Sequence, residues 1–200
     1  MKYTVRQLRE FLTVLYGGTL HEDGWHPNAR TAARRRHVHP NTIRRWTRGE
    51  PDQIAPIPPK RLHTLTRGYR PTRATLTREK YERQRLDVME DRRRLGRGRG
   101  NLNEYRRLGW LEPHSVLIIE SRDRPLRRIA VTRADPTTIT RALAGGRLIQ
   151  GTRHPDRFTA QQHRFAILDA VADDRIQLPT TRLDRGHTQV WLAGAQLPPA

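Results

Sequence analysis

The sequence predicts an α+β protein in three parts: a helical amino-terminal domain over residues 1–66, a charged helical connector over 67–100, and a small α/β module over 101–200. Three observations predict it. Apolar residues in the first third recur at helical spacings. A long, highly charged stretch in the middle closes on Gly96-Arg97-Gly98-Arg99-Gly100. Beyond it, short apolar runs alternate with turn residues and with amphipathic helical pattern.

Residues 4–16 form the first expected helix, because Val5, Leu8, Leu12 and Leu15 make one apolar stripe and Gly17-Gly18 stops it. Residues 19–27, with Gly24 and Pro27 among mixed polar side chains, read as a loop. Residues 28–36 read as a short Ala- and Arg-rich helix capped by Asn28, residues 37–39 as a turn, and residues 40–48 as a third helix ended by Gly49 and Pro51. Prolines 56, 58 and 59 then precede a short helix from Lys60 to Leu65. Residues 77–95 are charged and helix-permissive, with Tyr81, Val88 and Leu95 seven apart. In the last part, residues 116–120 and 127–133 read as strands around a turn at 123–125. Residues 137–144 and 156–172 read as helices, and residues 147–150 and 188–192 as strands.

Composition narrows the function. The 200 residues carry a net charge of +19, and cysteine is absent, so disulfides, thiolate nucleophiles and cysteine-ligated zinc are excluded. Residues 1–100 hold 24 Lys and Arg against 10 acids, a net of +14. Residues 101–200 hold 15 against 10, a net of +5. Of the 39 basic residues, 36 are arginine, whose planar fork suits phosphate and guanine. A GC-rich genome would produce the same bias. Mean hydropathy is −0.86 and no long apolar run occurs, so a cytoplasmic protein with no membrane span is expected.

The informative stretch is Thr31-Ala32-Ala33-Arg34-Arg35-Arg36-His37-Val38-His39-Pro40-Asn41-Thr42-Ile43-Arg44-Arg45-Trp46, within a segment 30–48 that has seven arginines and no acid. Two helices crossing over a tight turn need small residues where they meet, an apolar plug in the turn and an apolar stripe on the second helix. Ala33, Val38, and the pair Ile43 and Trp46 supply these. Pro40 suits the first helical position. These residues resemble the helix-turn-helix of phage and bacterial regulators, whose common form is a small pair, a Gly turn, Val-Ser, then Thr-Val-x-Arg-Trp. His37 stands at the glycine position and His39 at the serine cap. The match covers residues 28–49, and the chain as a whole looks like small basic proteins of phages infecting high-GC bacteria.

The resemblance implies that the second helix enters the major groove of double-stranded DNA. Asn41, Arg44 and Arg45 would meet base edges, while Arg34, Arg35, Arg36, His39, Thr42 and Arg48 hold the phosphate backbone. Arg97 and Arg99, in the flexible Arg-Gly segment, are expected to add sequence-tolerant contacts; a solvated linker is the alternative.

No catalytic or metal-binding pattern emerges. His21-Glu22-x-x-x-His26 lacks the spacing of a zinc helix, and His37-x-His39 serves a turn. The acids Glu120, Asp123, Asp135, Asp169, Asp173 and Asp174 match no nuclease template. The expectation is a non-enzymatic, cofactor-free, sequence-specific binder of double-stranded DNA, a phage-type regulator acting as a homodimer or higher homo-oligomer. The alternatives are a small terminase-like packaging subunit and a nonspecific nucleic-acid binder.

Overall fold

The protein is described by a computed structural model covering residues 2–66, 76–98, 101–176 and 189–197. Among these, eight helices and two sheets form a mixed α+β fold. Helix α1 (Val5–Tyr16) opens on a reciprocal cap: the Thr4 hydroxyl accepts from the Gln7 N–H, and the Gln7 carboxamide accepts from the Thr4 N–H. Its stripe of Val5, Leu8, Leu12 and Leu15 is buried as the periodicity requires.

Where a loop is expected, the chain forms an antiparallel hairpin of β1 (Gly18–His21) and β2 (Gly24–Pro27). Gly24 takes a positive φ of 112° at its turn, a conformation only glycine adopts freely. Helices α2 (Ala29–Arg36), α3 (Pro40–Trp46) and α4 (Pro59–Thr66) complete the amino-terminal unit. The unit is therefore helical with a hairpin inserted between its first two helices.

Helix α5 (Leu76–Gly96) leads to α6 (Leu102–Arg107), a short helix capped by Asn101 that the pattern did not reveal. The large sheet follows: β3 (His114–Ser121), β4 (Leu126–Arg133), β5 (Gly146–His154), β6 (Arg175–Ile176) and β7 (Val190–Leu192), in the antiparallel order β5-β3-β4-β7-β6. Helix α7 (Pro136–Ala142) links β4 to β5, and α8 (Arg157–Ala170) follows β5. Caps at Asp135 and Asp156 start both helices.

Alternation of side chains gives this sheet two apolar faces. Val116, Ile118, Ile129 and Trp191 pack with Ala160, Ile167, Leu168 and Val171 around α8. On the opposite face Leu126, Val190, Leu192 and Ile176 join the core of α1 to α4. The two ends of the chain thus share one continuous hydrophobic cluster. No helix among the described residues is long and apolar enough to cross a membrane.

Candidate nucleic-acid interface

Helices α2 and α3 meet through Ala32, Ala33 and Ile43, which are buried, with half-buried Val38 plugging the turn. Asn28 caps α2 by accepting from the Thr31 N–H at 3.0 Å. His37 ends it in the left-handed region, φ 51° and ψ 46°, the place glycine usually takes. His39 starts α3, its Nδ1 accepting from the Asn41 N–H at 3.2 Å. Pro40 sits at the first turn, where no N–H is needed.

Ile43 and Trp46 point into the core at 0% and 4% exposure. With about 100° of rotation per residue, Asn41, Arg44 and Arg45 then share the outward face within about a quarter-turn of arc, and all three are exposed. Arg44 Nη1 donates to Asn41 Oδ1 at 2.7 Å. Arg48, just past the helix, is exposed, as is His39, while Thr42 is half-buried. No acid lies between residues 30 and 48 to neutralise this surface.

Of the three consecutive arginines that close α2, Arg34 and Arg35 are exposed. Arg36 is not on that face. It turns inward, its Nε donating to the Tyr16 hydroxyl and its Nη2 to the Leu65 carbonyl at 3.3 Å, with the guanidinium over the Tyr16 ring. Arg36 ties α2 to α1 and α4, so its fork is committed within the protein. Arg97 is exposed in the turn after α5, and Arg99 lies outside the described residues.

Arg9, which the sequence gave no reason to single out, and Gly49, expected only as a helix stop, lie behind this surface. Arg9, on α1 and 7% exposed, donates to the carbonyls of Thr47 (2.9 Å) and Gly49 (3.3 Å) at the end of α3, and to Asp23 Oδ2 (3.0 Å) in the hairpin. Gly49 holds φ 127°, and a Cβ there would lie 2.5 Å from Gln53 Oε1. The hydrogen bond from His26, followed by Arg9, holds the Asp23 carboxyl below its ordinary range.

The scattered acids are occupied elsewhere. Glu120 lies between Arg127 and Arg147, Asp135 caps α7, Asp169 pairs with Arg85, and Asp174 accepts from Gln7. Among the described residues no three His, Asp or Glu side chains converge to hold a metal. No protein-family model, curated protein or solved structure matches the chain.

Proposed function

We propose that the chain binds double-stranded DNA sequence-specifically, by laying the exposed face of α3 in the major groove, as a phage-type transcription regulator would. The observation that carries this reading is the inward turn of Ile43 and Trp46, which leaves Asn41, Arg44 and Arg45 together on a solvent-facing side of a segment, residues 30–48, that carries no acid. Arginine forks match guanine O6 and N7, and a carboxamide matches adenine, each good pair supplying roughly 1–3 kcal/mol of discrimination. Exposed Arg34, Arg35 and Arg48, with His39 and Thr42, serve the phosphates and fix register. Arg36 takes no part, being held inside.

The test is selection from random duplexes at near-physiological salt with wild type and the double variant Arg44→Ala/Arg45→Ala. An enriched motif that disappears in the variant is the expected result. If wild type enriches nothing, and specific and random duplexes share one steep salt dependence, binding is by charge alone. Light scattering on the same samples separates a dimeric regulator from a ring-forming packaging subunit.

A further inference from the structure

A cleft of ≈ 360 Å³ lies between α5 and α8, far along the chain from the helix-turn-helix. The two helices run antiparallel and are pinned on either side of it, by Arg85 to Asp169 at 2.9 Å and by Arg92 to Gln162. Its walls differ in charge. On the α5 side stand Asp87 and Asp91; on the α8 side stand Arg157, Gln161 and Arg164; Trp110 lines the cleft as well.

Two features of the lining bear on what the cleft would receive. The Arg157 guanidinium lies 4.8 Å over the Trp110 ring, which is stacked on Tyr105 at 5.5 Å. That guanidinium is partly buried, and no ion pair joins it among the described residues. A charge so placed favours an incoming anion. On the facing wall Asp91 is engaged with the Tyr105 hydroxyl, while exposed Asp87 is left to meet a cation.

We propose that this cleft binds a small zwitterion of the α-amino-acid class, its carboxylate toward Arg157 and its ammonium toward Asp87. The acidic α5 wall disfavours phosphates and other dianions, and the basic α8 wall disfavours simple amines, so a molecule carrying both charges is selected over one carrying either. The volume sits at the small end of ligand pockets, which suits such a molecule. This inference stands apart from the DNA reading, since none of its residues belongs to α2 or α3.

The experiment is calorimetric titration and thermal melting of the full chain against the standard amino acids one at a time, with propionate and ethylamine as single-charge probes. At least one amino acid is expected to bind saturably and raise the melting temperature, with neither probe doing so. Arg157→Gln and Asp87→Asn should each weaken that binding about tenfold or more. The proposal is overturned if no amino acid binds saturably, if propionate binds as tightly as the amino acid, or if Arg157→Gln and Asp87→Asn bind like wild type.

Discussion

The side chains that read DNA in the proposed function depend on others that never touch it. Arg44 and Asn41 are already hydrogen-bonded at 2.7 Å, so they meet a base pair as one preassembled unit. Arg44→Lys keeps the charge but loses the fork. It is expected to retain salt-sensitive binding to random duplex while losing about tenfold of its preference for the selected site, read by competition binding. Behind that unit, Arg9 fastens the end of α3 to α1 and to the hairpin with three charge-assisted hydrogen bonds. Arg9→Ala should lower stability by about 2–3 kcal/mol in urea unfolding, and Arg9→Met, which keeps the stem, should recover little of it. Full recovery by methionine would mean that packing, not the guanidinium, holds the end of α3. The sequence concealed Arg9 because its partners lie 14 to 40 residues away, and a polar residue on a helix carries no mark of them.

The turn between α2 and α3 rests on His37, the only described non-glycine residue with positive φ. A left-handed backbone costs a side chain roughly 1–2 kcal/mol, partly offset because glycine has more freedom to lose on folding. His37 is exposed. His37→Gly is therefore expected to stabilise the protein by about 0.5–1 kcal/mol in thermal or urea unfolding, and His37→Val to destabilise it. A glycine variant no more stable than wild type would show that the turn is unstrained. This turn was readable in advance because Ala33 is small, Val38 is an apolar residue in the turn, and Ile43 and Trp46 lie three apart as one buried stripe, which also fixes which arginines of α3 face outward. The hairpin of residues 18–27 was not readable. Its strands are four residues each, half-buried or exposed, and lack the alternation that marks a strand. Helix α6 hid likewise, being six residues long with none of them buried. The inward turn of Arg36 depends on Tyr16, 20 residues distant, so three adjacent arginines looked alike when one is structural.

The amino-terminal unit and the large sheet are joined by more than apolar contact, and the polar part of the joint titrates. Glu10 on α1 is 5% exposed and accepts from the Gly194 N–H at 3.0 Å, while Gln7 donates to Asp174 at 2.7 Å. A side chain at 194 would force Glu10 or Arg6 to shift, since a Cβ would stand 2.9 Å from Glu10 Oε1 and 2.7 Å from Arg6 Cδ. Desolvation pushes the Glu10 carboxyl up from 4.5 to about 7, against the opposing pull of the Gly194 hydrogen bond and of Arg6 and Arg127. Because the folded state holds this proton more tightly than the unfolded chain, stability falls as pH rises from 4.5 to about 7 and levels off above that. The loss from this one group is roughly 3 kcal/mol. Carboxylates such as Glu120, which its hydrogen-bonded arginines hold low despite desolvation, contribute the opposite slope at more acidic pH, so only a difference between variants isolates Glu10. Glu10→Gln keeps an acceptor for Gly194 and removes the ionisation. Urea unfolding between pH 5 and 8 should show the variant nearly matching wild type at pH 5 and gaining on it up to neutrality. Parallel pH profiles would mean that the carboxyl is solvated in the native state, and that the two ends of the chain do not enclose it as the shared core implies.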